Sequence, residues 1–421
     1  MEKTMKEYRF QQFDRKKSIQ KAKGDFLWIP ELSDGFDPSL PQGVSGSGLI
    51  PVSFFTEAVP FGIYQISLEF TAEADISQLF LFTGRKQLRK ICSLKKGERF
   101  SAVYYQSAAE IIPRYQEKAF PVSRLFFTIC TRHPKDIRLG ECSAVSFPNA
   151  NPFRIFLCGD STVTDHTSQL PYHPGACYAA WGQTLPAFLC GPAAVENQAH
   201  CGLTTEDFRK EGHWDLVLCH MKEGDICLFQ FGHNDQKLPH LWTNGEYPKN
   251  LARFIQETRK KGAFPVLVTP LGRNTWDKNG TYLDLLNEHA QAVIAVGNDN
   301  AVPVIDLHRY SVAAIKTLGM DASRCYFHPD DYTHTNEYGA CLFARWMAEE
   351  LAKRFPERLD AKENIKDFTP PPGLWEMLDS GAAVCRPEKS CSENKELFDQ
   401  MEKSTAGLLE VIAQAKKQSE I

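Results

Sequence analysis

The segment RIFLCGDSTVTD, from Arg154 to Asp165, opens on an apolar run that does not alternate and then breaks at Gly159. A short run of this kind reads as a strand buried on both faces, the pattern of a parallel sheet covered by helices. Three later runs repeat it: DICLFQF at 225–231, FPVLVT at 264–269 and VPVID at 302–306. Between them, Asn250 to Lys261 and Tyr282 to Asn298 carry helical patterns. Strands alternating with helices predict an α/β domain with a parallel sheet and a helical layer on each face.

Upstream the pattern differs. Gly62 to Phe70 alternates apolar and polar residues, and Ser77 to Phe82, Ser101 to Tyr105 and Leu125 to Cys130 add short runs separated by turn residues. Regular short strands without helical stretches predict a β-sandwich. Residues 1–23, polar and basic, are expected as a solvated arm. The Asn/Pro segment at 148–152 is the expected linker. Downstream, FTPPPG at 368–373 is stiff and extended, and Leu397, Met401, Leu408, Ile412 and Ala415 form an apolar helical stripe. That helix packs on its own chain or, as the alternative, serves a homo-oligomer. The expected division is a β-domain at 1–150, an α/β domain at 151–360 and a C-terminal extension with a helix at 361–421.

The bulk composition excludes several classes. At 421 residues, with 43% hydrophobic and 24% charged residues, the chain can build cores. Lys plus Arg number 48 against 52 Asp plus Glu, a formal charge of −4, without the basic excess of a nucleic-acid binder. No apolar stretch of about 18 residues marks a membrane span. The thirteen cysteines are scattered, with no two closer than six positions (Cys385 and Cys391), so no CxxC pair exists. Free thiols and a charged N-terminus, MEKTMKEYRFQQFDRKKS, lead to the expectation of a cytoplasmic protein.

Four elements carry chemistry. Ser161 follows a strand's carboxyl end, where open α/β sheets bind ligands and where backbone N–H groups are exposed. Gly202, in NQAHCGLT, permits close approach of backbone to a ligand. Asn234, directly after the second strand, brings a neutral amide donor of the kind an oxyanion needs. His334 is the natural base at neutral pH, and Asp331, three residues earlier, can reach its Nδ1. Each element alone is also an ordinary turn, cap or loop.

Together and in this order they resemble the GDSL/SGNH hydrolases, specifically the rhamnogalacturonan acetylesterase-like branch, carbohydrate esterase family twelve. The resemblance rests on GDSTVTD at 159–165, WGQ at 181–183, NQAHCGLTTEDF at 197–208, QFGHNDQK at 230–237, YPKNLARFIQETRKKGAFPVLVTPLGR at 247–273 and DYTHTNEYGA at 331–340. It covers about residues 152–355, and the β-rich segment before it resembles the galactose-binding-like sandwich of two-domain bacterial members. It implies a flavodoxin-like three-layer α/β/α fold, with Ser161, His334 and Asp331 as the catalytic triad. The Ser161 and Gly202 amides and the Asn234 side chain would form the oxyanion hole. The chain departs from the family at Gly202-Leu203-Thr204, where GRS or GxS is frequent, and at His166, where glutamine is common.

The expected activity is a carboxylic ester hydrolase removing acetyl groups from acetylated oligosaccharides, with pectin fragments first and xylan fragments second. Trp181, Trp242, Trp276 and His200 are candidate sugar contacts, because aromatic faces suit pyranose rings. No cofactor, metal, nucleic-acid or membrane partner is expected. A lipid or thioester hydrolase would need an apolar acyl channel, and a non-catalytic carbohydrate-binding protein would not need the full set of reactive residues. No GxSxG elbow is present, which disfavours the other α/β-hydrolase type.

Overall fold

A computed structural model of the protein describes residues 6–12, 48–112, 118–146, 152–166, 172–329, 331–362, 365, 368–372, 374 and 395–420. Residues 148–151 of the expected linker, and Asp330, lie outside the described residues.

The unbroken apolar runs become a five-stranded parallel sheet in the order Ala193–Asn197, Phe153–Gly159, Ile226–Gln230, Phe264–Val268, Val304–Ile305. In chain order this is 2-1-3-4-5, the flavodoxin-like arrangement. Every residue of Phe153–Gly159 and Ile226–Gln230 is buried. Alternate side chains enter opposite layers. Ile155, Leu157 and Leu228 pack toward Phe343, Met347 and Leu351 of the helix Glu337–Arg354. Phe156, Cys158 and Phe229 pack toward Leu251 and Phe254 of Glu246–Lys260 and Val293 of Asn287–Asp299. The strand Ala193–Asn197 was not among the expected ones, since AAVEN lacks a β-branched run. The expected helix from Tyr282 begins only at Asn287, because Tyr282 pairs with Trp276 in an isolated bridge.

The alternating segment becomes two antiparallel sheets facing one core. Gly62–Ala72 buries every second side chain, and Ile66, Leu68 and Phe70 meet Phe54, Leu79, Leu81 and Phe127 of the other sheet. The expected solvated arm is corrected over its described part. Glu7–Arg9 pairs with Ser143–Ser146, and Tyr8, 4% exposed, stands edge-on to Tyr64. An aromatic on an edge strand gains more by covering the sandwich than by solvation.

The β-rich and α/β regions share apolar packing. Phe80 and Phe82 lie 5.4 and 5.9 Å from the ring of buried Tyr172. Two largely buried ion pairs also cross, Arg85–Asp165 at 3.4 Å and Lys86–Glu337 at 3.7 Å, and Ser107 donates across at 2.7 Å to Glu196, which pairs with Arg154 at 2.9 Å within the parallel sheet. Downstream, Asp360–Ala361 pairs with Leu189–Cys190, and the expected C-terminal helix spans Lys395–Ser419. Among the described residues, no helix is long and apolar enough to cross a membrane, and no three His, Cys, Asp or Glu side chains are grouped to hold a metal ion.

Candidate active site

The sheet order reverses between Phe153–Gly159 and Ile226–Gln230, and a crevice opens at the carboxyl ends of strands at such a point. Ser161 follows the first of these strands and Asn234 the second. Gly159 makes the turn possible, since a Cβ there would lie 2.7 Å from the Gln230 carbonyl. Asp160 is fully buried and tightens the turn, accepting from the Thr162 amide at 2.9 Å and its hydroxyl at 2.8 Å.

His334 Nε2 lies 2.7 Å from Ser161 Oγ, and its Nδ1 lies 2.6 Å from Asp331 Oδ2. The other Asp331 oxygen accepts the Thr333 amide at 2.6 Å and the His334 amide at 3.1 Å. Burial pushes the Asp331 carboxyl up, but the His334 contact and these two amides prevail and hold it at about 2. It is therefore an acceptor at every ordinary pH and fixes the ring with Nε2 facing Ser161. Arg273, buried, braces this loop by donating to Thr333 Oγ1 and, at 3.1 Å, to the His233 carbonyl.

Gly202 adopts φ +77°, a left-handed conformation that turns its backbone and that a side chain would strain. The Asn234 Oδ1 accepts from Lys237 Nζ at 3.1 Å, while Nδ2 donates to the Leu203 carbonyl at 3.1 Å. That orientation leaves a second amide hydrogen on Nδ2. The cleft holds about 570 Å³ and its lining includes Ser161, His200, Gly202, Asn234, Asp331 and His334. Residues from four separate blocks, expected from the sequence as one site, thus converge.

The tryptophans do not line this cleft. Trp181 is 1% exposed and donates to Gln230 Oε1 at 2.7 Å inside the core. Trp242 packs edge-on to His289 at 5.0 Å, and Trp276 edge-on to Tyr282 at 5.3 Å. Packing consumes the apolar surfaces of Trp181 and Trp242, and Trp276, half-buried, lies away from the cleft lining, which corrects their expected role as sugar contacts. His200 does line the cleft, where its Nδ1 accepts the Cys201 amide at 2.8 Å.

Sequence reasoning missed an aromatic residue that does line the cleft. Tyr178, 36% exposed, stacks on His328 at 3.7 Å and stands edge-on to His334 at 5.6 Å. Burial lowers His328 to about 4 and His166 to about 3, so both rings are neutral at neutral pH. His166 Nε2 lies 2.7 Å from the Ser161 carbonyl, which accepts its proton. No spacing rule singles out Tyr178. Lys237, Tyr332, Ser404 and Leu408 also line the cleft.

Comparison with known proteins identifies the family. Residues 157–340 match the GDSL-like lipase/acylhydrolase family. The chain is 34% identical to rhamnogalacturonan acetylesterase RhgT of Bacillus subtilis over 228 residues, covering 50% of this chain and 96% of that protein. It is 31% identical to the probable rhamnogalacturonan acetylesterase YesY of the same organism over 208 residues, covering 47% and 91%. A rhamnogalacturonan acetylesterase of Emericella nidulans is 26% identical over 238 residues, covering 50% and 88%. The chain belongs to the GDSL-like lipase/acylhydrolase family, on its rhamnogalacturonan acetylesterase-like branch, and is a carboxylic ester hydrolase.

Proposed function

We propose that the protein removes O-acetyl groups from acetylated rhamnogalacturonan or pectin fragments through a serine acyl-enzyme. The observation that carries this reading is the unbroken chain Ser161 Oγ, His334, Asp331, with contacts of 2.7 and 2.6 Å. His334 Nε2 takes the proton of Ser161 Oγ as the Oγ–carbon bond forms at the acetyl carbonyl. The carbonyl electron pair moves onto oxygen, where the Ser161 and Gly202 amides and the second hydrogen of Asn234 Nδ2 receive it. Collapse breaks the bond to the sugar oxygen, which leaves with the proton from His334. Water then attacks the acetyl-enzyme by the same roles, releasing acetate and free Ser161.

The side-chain types that line the cleft support a sugar over a fatty acyl chain. His166, His200, Tyr178, Lys237 and Asp331 line it, with Leu408 the one aliphatic side chain among its lining residues. Lys237 adds a cation to the cleft lining, which supports uronate-containing fragments over neutral xylan. The described cysteines are free thiols, supporting a reducing, cytoplasmic setting in which substrates are soluble fragments. The test is acetate release from acetylated pectin and xylan oligosaccharides by the wild type and Ser161→Ala. Turnover that survives in Ser161→Ala would overturn the mechanism, and preference for xylan fragments would overturn the substrate.

A further inference from the structure

We infer that the C-terminal helix Lys395–Ser419 is the end wall of the cleft and that Ser404 and Leu408 on it set how long a substrate chain the enzyme accepts. This rests on reading the cleft as the esterase site, and adds the element that determines its specificity.

The helix lies outside residues 157–340, which match the family, so the shared chemistry does not require it. It nevertheless reaches the cleft, where Ser404 and Leu408 stand with Lys237 and Tyr332. Its attachments come from the segments after three different parallel strands, two of them loops and the third the start of the helix Asn287–Asp299. Tyr332 donates its hydroxyl to the Ser404 carbonyl at 3.3 Å, Asn244 donates to the Ser419 carbonyl at 3.1 Å, and Lys416 pairs with Glu288 at 2.6 Å. Ala415, 2% exposed, and Thr405, 7% exposed, are the described side chains buried beneath it. From Ser404 to Ser419 the helix advances about 22 Å at the usual rise. It therefore runs along the loop rim rather than touching it at a point.

The chemistry of the wall points to exclusion. Leu408 offers no donor or acceptor, so a sugar hydroxyl pressed against it loses water without gaining a partner. The Ser404 carbonyl already accepts from Tyr332. A cleft of about 570 Å³ is in the range of small-molecule sites, in keeping with a substrate of a few sugar units entering end-on. A long chain could pass only if the helix were displaced.

Two full-length variants test this against a ladder of acetylated oligogalacturonides and acetylated pectin polymer. Ala415→Asp puts a charge under the helix and unseats it away from the reacting groups. Turnover of a small chromogenic acetate should stay within roughly twofold, while kcat/KM on polymer relative to the disaccharide rises by roughly tenfold. Leu408→Trp extends the wall and should shift the preference toward shorter chains. The same ladder is measured by calorimetric binding to Ser161→Ala, with and without Ala415→Asp, so that the result does not depend on turnover. An unchanged length preference in both variants, by rate and by binding, overturns the wall. Loss of Ser161-dependent acetate release by the wild type overturns the esterase reading instead, and the binding ladder still decides the role of the helix.

Discussion

The two sheet systems of this protein stand in different relations to its chemistry. The α/β region presents Ser161, Gly202 and Asn234 within a few residues of the carboxyl ends of buried strands, and Asp331 and His334 on the loop between the helices Leu307–Arg324 and Glu337–Arg354. The β-rich region contributes none of the catalytic candidates, yet it grips the α/β region directly behind the cleft. Arg85 meets Asp165, a residue of the cleft lining, and Lys86 is buried against Glu337 at the start of the helix that follows His334. Glu337 also accepts the Gly175 amide at 2.8 Å, three residues before Tyr178. The contrast teaches that, under the proposed mechanism, one region carries the reaction while the other holds its walls in register.

The sharpest break between the regions comes from the proposed nucleophile. Ser161→Ala should lower kcat on a chromogenic acetate by at least roughly 10⁴-fold while leaving the urea midpoint of unfolding nearly unchanged. The reverse is expected across the interface. Lys86→Met strands Glu337 in an apolar setting and should cost about 3–5 kcal/mol of stability. Fluorescence and far-UV signals should then shift to lower urea together. Separate transitions would show that the β-rich region folds independently and does not brace the cleft.

Asn234→Ala should reduce kcat by about 10²–10³-fold, or roughly 3–4 kcal/mol, with little change in KM. A KM effect of that size instead would make Asn234 a ground-state contact. The smallest effect concerns pH. Asp331 sits at about 2 in the fold, below the unfolded value of about 3.9, so its stabilising contribution is present above that unfolded value and is lost as pH falls toward 2. It amounts to about 2–3 kcal/mol at neutral pH. The stability gap between wild type and Asp331→Asn, followed by thermal melts, should therefore close below about pH 4.

Much of the site was legible because its chemistry sits in short local blocks. Ser161, Gly202, Asn234 and the pair Asp331 and His334 each follow a strand or open a loop that patterning locates, and the i,i+3 spacing of the last two permits their contact without knowledge of the fold. The tryptophans were illegible for the opposite reason. Indole surface suits a sugar face and a core equally well, and nothing within a few residues of Trp181 reveals that Gln230, 49 positions later, will take its N–H. Tyr178 was missed because its partners His328 and His334 are about 150 positions away. The strand Ala193–Asn197 was missed because alanines carry little β signal, and its place beside Phe153–Gly159 comes from pairing.

The sequence by itself determined the layer order, the alternation of the β-rich region, and the residues able to act as nucleophile, base and oxyanion donor, since these depend on periodicity and on side-chain chemistry. Only the tertiary structure decided which aromatic faces the cleft, that Arg85 and Lys86 reach into the α/β region, and that a helix beginning at Lys395 borders a serine at 161. Those are contacts between distant segments, where burial of area and pairing of charge are settled by the whole packed chain and leave no local pattern to read.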